Sequence, residues 1–110
     1  MTAVPQLTEA IRTLADPTRR AVFEHIALED EITAGALVAG SRVSQPAVSQ
    51  HLRALREAGL VSERREGRRV HYRVRHQGLR PLVGWLEFHA EFWTKRLDKL
   101  EQLLLSEPDK

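Results

Sequence analysis

Ser44-Gln45-Pro46-Ala47-Val48-Ser49-Gln50-His51-Leu52-Arg53-Ala54-Leu55 is the stretch that decides the fold. Ser44 is suited to cap a helix, and Pro46 falls in the first turn, where backbone N–H groups lack intrahelical partners anyway. Val48, Leu52 and Leu55 recur at helical spacing and predict one buried stripe. At roughly 100° per residue, that stripe leaves Pro46, Gln50 and Arg53 nearly opposite, with Ala47 and Ser49 beside them. Gln45 projects from the exposed first turn, and Gly59 stands where a left-handed C-terminal cap is wanted. One edge of this helix is apolar. The other carries amides, hydroxyls and a guanidinium.

On the N-terminal side, Thr33 caps a short helix running to Ala39, with Ile32, Ala36 and Leu37 turned inward, and Gly40-Ser41-Arg42 breaks it. A short helix, a tight break and a second helix with a polar outer face make a helix-turn-helix. On the C-terminal side the period changes to two: Val70, Tyr72 and Val74 alternate with His71, Arg73 and Arg75, the mark of a half-buried strand. Residues 60 to 65 pair with it across Glu66-Gly67-Arg68. The product is a β-hairpin tipped with Arg64, Arg65, Arg68 and Arg69, a wing beside the reading helix.

Two more helices precede this unit. Leu7, Ala10, Ile11 and Leu14 form the first, after Pro5. Asp16-Pro17 supplies a cap and a first-turn proline for the second, which carries Ala21, Val22, Phe23 and Ile26. A long final helix is predicted from Pro81 to Leu105, with Leu82, Leu86, Trp93, Leu97, Leu100 and Leu104 along one side. Together with Trp85, Phe88 and Phe92 this is more apolar surface than docking on so small a domain requires, so part of it is expected to meet a second copy of the chain. An organic-ligand pocket between subunits is the alternative use of those aromatics. The fold expected is mainly α with a small β-hairpin: five helices, with the wing between the fourth and fifth.

Composition narrows the function. The chain has 110 residues, 42% apolar and 29% charged, so one domain over 1–110 accounts for all of it, with 81–105 as the long C-terminal helix. No cysteine is present, which removes disulfides, thiolate metal sites and cysteine nucleophiles. Without an 18-residue apolar run or a signal-type segment, a cytoplasmic protein with no membrane partner is expected. No Gly-x-Ser-x-Gly elbow or His-Glu-x-x-His helix occurs, and Ser41-Arg42 follows Gly35 and Gly40 where a phosphate loop needs Lys-Ser/Thr. Neither an enzyme nor a cofactor is expected.

Net charge is only +2, yet it is unevenly spread. Residues 42–80 hold ten Arg against three acids, whereas the flanks are mildly acidic. An anionic partner for the middle follows, and duplex DNA fits. Gln45 and Gln50 carry the donor–acceptor pair that suits adenine, Arg53 can fork onto guanine or phosphate, and Ser49 can serve base or backbone. The wing arginines suit phosphates or a narrow minor groove. His51 flanks the reading face, to touch phosphate or orient a neighbour. His25 reads as a hydrogen-bonded structural residue, and His71 and His76 as groups near the wing, either solvated or touching phosphate.

Ser44 to Leu52, then Leu55-Arg56-Glu57-Ala58-Gly59-Leu60-Val61, then Gly67-Arg68-Arg69-Val70-His71-Tyr72 resemble the ArsR/SmtB family of winged helix-turn-helix repressors, as does Ala15-Asp16-Pro17-Thr18-Arg19-Arg20. The resemblance spans about residues 6 to 105. It implies a homodimer, paired through its first and last helices, that binds a palindromic operator and represses transcription until a small-molecule, protein or other signal lowers DNA affinity. Leu7 and Ile11 on the first helix, with Leu86, Trp93, Leu97, Leu100 and Leu104 on the last, are then the interface residues, and Ser44, Gln45, Pro46, Ser49, Gln50, His51, Arg53, the wing arginines and His71 the DNA-facing ones. Where metal-sensing relatives carry Cys-x-Cys, this chain has Thr33 and Gly35, which cannot hold a soft metal. Glu87, His89, Asp98 and Glu101 only loosely echo a second family metal site, because Leu100 and Leu103 stand where ligands are needed; no metal is expected. A metal-responsive repressor using that last helix and a protein-interaction module are the two alternatives.

Overall fold

Asp16 and Pro17 separate the first two helices by their local chemistry. Asp16 is extended, its carboxylate accepts the Arg19 backbone N–H at 3.0 Å, and Pro17 takes the first helical position. That hydrogen bond is the main reason the Asp16 carboxyl is held below the usual carboxylate range. The structure, a computed structural model, describes residues 3–106. They run α1 (Ala3–Ala15), α2 (Pro17–Glu29), β1 (Ile32–Thr33), α3 (Ala34–Ala39), α4 (Gln45–Glu57), β2 (Val61–Glu66), β3 (Arg69–Val74) and α5 (His76–Leu105).

The core lies where α2, α3, α4 and the root of β2 converge. Ile26, Leu37, Val48, Leu55, Leu60 and Val61 are its largest fully buried side chains, and Leu52, Val22 and Ala10 complete it. The predicted α4 stripe is therefore the inner face of that helix. Truncating a residue such as Leu55 to Ala in such packing costs about 2–5 kcal/mol. Among the described residues Thr13 of α1 is the buried polar one, and its hydroxyl donates to Glu9 at 3.5 Å. Ala21, expected among the apolar positions of α2, is exposed.

The sheet differs from the expected hairpin by one strand. Its order is β1-β3-β2, all antiparallel, with Ile32 opposite Tyr72 and Thr33 opposite His71. Thr33 serves twice, pairing with β3 and accepting the Ala36 N–H at 3.1 Å to cap α3. Two residues are too few to display a period of two, so β1 has no signature of its own.

α5 begins at His76 and not at Pro81, which lies inside it. Proline removes one ladder hydrogen bond, and the remainder of this 30-residue helix carries the gap. Its first turn is anchored by a close backbone approach. Gly59, with φ +77°, follows the end of α4 in the left-handed region, as its cap position predicts, and a Cβ at Gly78 would sit 1.9 Å from the Gly59 carbonyl oxygen. Gly78→Ala is expected to lose about 1–3 kcal/mol through that clash. Gly35→Ala, with open space around it in α3, should be neutral or gain up to about 1 kcal/mol. Urea denaturation checks the pair, and equal midpoints would contradict the close approach.

Candidate nucleic-acid interface

The outer face of α4 is as bare as the helical wheel requires. Ser44 accepts the Ala47 N–H at 3.3 Å and so fixes the start of the helix, with Pro46 in its first turn. Gln45, Pro46, Ser49, Gln50 and Arg53 are exposed, and Ala47 is half-buried. The side chains of Gln45, Ser49 and Gln50 make no hydrogen bond among the described residues, so their donors and acceptors are open. Arg53 lies along the helix against Glu57 at 3.0 Å, with most of its side chain in water. Such an exposed pair is weak enough to exchange for another anion.

His51 has a different setting from its neighbours. It is half-buried, and its Nδ1 accepts from Arg19 Nε at 3.4 Å, while Arg19 Nη1 reaches the Thr13 carbonyl at 3.5 Å. This side chain therefore joins α4 to α2 and to the end of α1. Sequence reasoning misses this role of Arg19, because a contact across 32 positions leaves no local pattern. His25 is half-buried beside Gly40, and among the described residues it makes no hydrogen bond; its structural setting is packing.

The wing is closed by a two-residue turn. Glu66 pairs with Arg69, and Gly67 takes φ +62° at the first turn position, a left-handed value that glycine adopts without strain. Arg65, Arg68 and Arg69 are exposed and make no ion pair among the described residues. Arg64 is engaged: it meets Glu31 at 3.1 Å and Glu66 at 3.9 Å. His71, expected as a surface group of the wing, has a side chain only 14% exposed, with Nε2 3.1 Å from Glu66 and Nδ1 3.9 Å from Glu31. Register explains this, since His71 pairs with Arg64 in β2 and with Thr33 in β1 and so occupies the central strand. His76 is exposed at the start of α5, beyond the end of β3 where Val74 pairs with Val61, and so at the root of the wing, not near its tip.

A second chain of contacts ties the wing to α4. Arg56 on α4 donates to Glu63 on β2 at 2.7 Å, and Tyr72 on β3 donates its hydroxyl to the same carboxylate at 3.3 Å. Burial first, then the Glu63 charge and hydrogen bond, pushes the Tyr72 phenol above its ordinary value, which keeps it a neutral donor. α4 and the hairpin are thereby held at a set angle to each other.

α5 runs beside α1 and buries none of its own residues fully. Leu86, Trp93, Leu97, Leu100 and Leu104 are all at least half exposed, Ile11 on α1 is exposed, and Leu7 is half-buried. His89 stacks at 4.6 Å from Trp85. Among the described residues no three His, Asp or Glu side chains, including Glu87, His89, Asp98 and Glu101, come together as a metal cluster would require. Nor do they include a helix long and apolar enough to cross a membrane.

Residues 14–64 match the model of a helix-turn-helix domain. Over 100 residues the chain is 42% identical to the HTH-type transcriptional regulator Rv2034 of Mycobacterium tuberculosis, covering 91% of this chain and 90% of that one. The HTH-type transcriptional repressor SmtB of the same organism is 40% identical over 75 residues, 68% of this chain and 55% of the relative. Among solved structures, an ArsR-like transcriptional regulator from Rhodococcus sp. RHA1 superposes with a TM-score of 0.73 at 27% identity, covering 99% of this chain and all of that one. The chain belongs to the ArsR/SmtB family. It is a DNA-binding transcriptional regulator of winged helix-turn-helix fold, as the motifs of α4 and the wing lead one to expect, and it lacks the cysteines of metal-sensing members. Of the two residues that the resemblance sets against the Cys-x-Cys pair, Thr33 caps α3 with its hydroxyl and Gly35 lies within that helix.

The Glu31–Arg64 pair makes the wing sensitive to acid. Arg64's hydrogen bond is the main cause holding the Glu31 carboxyl below the usual carboxylate range. A depressed carboxylate contributes its stabilisation fully above its unfolded value, and that contribution disappears as the pH falls through the depressed one. The Tm difference between the parent and Glu31→Gln is therefore expected to be small at pH 7, since the pair is solvent-facing, and to close as the pH falls below the ordinary carboxylate range. A difference that grows on acidification would contradict the pairing.

Proposed function

We propose that this ArsR/SmtB protein acts in the cytoplasm as a homodimeric repressor of a palindromic operator, reading base edges with α4 and gripping the backbone with the wing. The observation that carries the reading is the juxtaposition of two bare surfaces. α4 turns unpartnered amides outward, and the adjoining hairpin ends in Arg65, Arg68 and Arg69, which have no ion pair among the described residues. Gln45 and Gln50 are assigned to adenine, Arg53 to guanine or phosphate once it leaves Glu57, and Ser49 to either. Ser44 and Pro46 line the approach. His51, midway along α4 and held by Arg19, is assigned to touch phosphate or to orient a neighbouring side chain. Arg64 and His71 reach phosphate only after release from Glu31 and Glu66, so they contribute less than the tip.

Dimerisation is assigned to α1 and α5. A face that holds Leu86, Trp93, Leu97, Leu100 and Leu104 in water is unfavourable unless something covers it, and a second copy offers the same face in return. Leu7 and Ile11 extend it on α1. With cysteine absent, the signal that releases DNA is assigned to a small molecule or protein, and the chain performs no catalysis of its own; its relatives are transcriptional regulators.

Gln50→Ala or Arg53→Ala should weaken operator binding more than random-DNA binding, by about 1–3 kcal/mol where the side chain pairs with its base in bidentate fashion. Equal losses on both DNAs, in an electrophoretic shift titration, would remove the residue from base reading. Arg68→Ala or Arg69→Ala should weaken both DNAs alike and flatten the salt slope by about one unit for each phosphate the arginine neutralises.

Leu97→Glu or Leu100→Glu is expected to give monomers in sedimentation velocity and to lose most operator affinity, because two reading helices spaced about 34–36 Å apart no longer act as one binding unit. A stable dimer in both variants would refute the assignment of α5 to the interface.

A further inference from the structure

A cavity of about 430 Å³, lined by none of the residues assigned to DNA, lies between the second half of α2, the root of the β2–β3 hairpin and the start of α5. Its volume is in the range of small-molecule sites. Phe23, Ala27, Val74 and Leu79 give it apolar walls, above Ile26 of the core. The rim is charged. Arg73 and Arg75 stand there with the exposed His76, against one carboxylate, Asp30.

The two guanidiniums differ in what they already hold. Arg75 donates to the Gly59 carbonyl at 3.3 Å and to the Gln77 side chain at 3.4 Å. The Arg73 guanidinium makes no hydrogen bond or ion pair among the described residues; it only adds to the positive field at Glu31, whose hydrogen-bonding partner is Arg64. One free planar fork above an apolar floor matches one carboxylate on an apolar body, because the fork offers two parallel N–H donors to the two carboxylate oxygens. The rim is net positive, so it disfavours an amine of the same shape.

We propose that this cavity binds a small organic carboxylate with an alkyl or aryl body and that this ligand is an effector of DNA binding. The effector role rests on the operator-binding reading above; the binding itself does not. Its walls belong to three elements with different tasks. The hairpin root carries the wing, α5 carries the exposed apolar face, and α2 packs beneath α4. A ligand that bonds Arg73 while filling the space against α2 and α5 favours one angle between the wing and the rest of the protomer. Differential affinity for two such angles is what couples one site to another.

Calorimetric titration of the DNA-free full chain with octanoate, phenylacetate, 1-octanol and octylamine tests the site. At least one of the two acids should bind saturably, with octanol and octylamine at least tenfold weaker. Arg73→Gln should weaken the acid tenfold or more. Ala27→Trp, a change at an exposed helical position that fills the cavity, should abolish binding while the circular dichroism spectrum stays that of the parent. No saturable binding of either acid, octylamine binding as tightly as the acids, or parent-like binding in Arg73→Gln would overturn the site. Should Ala27→Trp fail to fold, Arg73→Gln alone decides. A shift titration on the operator, with and without saturating acid, then tests the effector role. A change in operator affinity of about fivefold or more supports it, and unchanged affinity with the acid bound overturns it.

Discussion

Burial of one face of α4 is the constraint on which the remaining features depend. Val48, Leu52 and Leu55 sit in the core against α2 and α3, and with three inward positions pinned the opposite face has only one place to point. A helix packed this way cannot rotate without pulling a leucine into water, at a cost of roughly 2 kcal/mol or more per side chain. The open amides of Gln45 and Gln50 thus inherit their direction from residues they never touch. The Ser44 cap fixes where along the chain that orientation begins.

Packing alone leaves the hairpin free to pivot about its root, and here polar contacts take over. Arg56, Glu63 and Tyr72 join α4 to both long strands, β1 adds a third strand on the other edge of β3, and Arg64 meets Glu31 just before β1. These groups are partly solvated, so each contact is individually modest. Their geometric effect is larger than their energy. They keep an arginine-tipped ribbon beside the outward face of α4, a relative placement that neither element would maintain alone. The acids that do this also occupy Arg64 and His71, which leaves Arg65, Arg68 and Arg69 as the open charges of the tip.

α5 follows the opposite logic. At about 1.5 Å per residue its 30 residues make a rod of some 45 Å, and the Cα radius of gyration of 19.1 Å exceeds the roughly 13 Å of a compact chain of this size. Much of the helix therefore runs past the core it starts from. Its apolar residues are unsatisfied within one chain, which is why the proposed dimer places them against a second copy. The cavity at its other end, by the wing root, is where the proposed carboxylate would tie that rod to the hairpin.

Much of this is legible in the amino-acid sequence because it is written in local period and local chemistry. The 3.6-residue spacing of Val48, Leu52 and Leu55, the two-residue spacing of Val70, Tyr72 and Val74, the caps at Asp16, Thr33 and Ser44, and Gly59 at its left-handed position each depend on neighbours within a few residues. What needs tertiary structure is whatever joins distant positions. The third strand forms because Ile32 meets Tyr72, α5 starts early because Gly78 meets Gly59, and His71 leaves the surface because it lies in the central strand between Glu31 and Glu66. The pairings of Arg19 with His51 and of Arg64 with Glu31 are of the same kind. A long, flexible charged side chain has many partners within reach, and which one it meets is settled only after the backbone has brought the elements together.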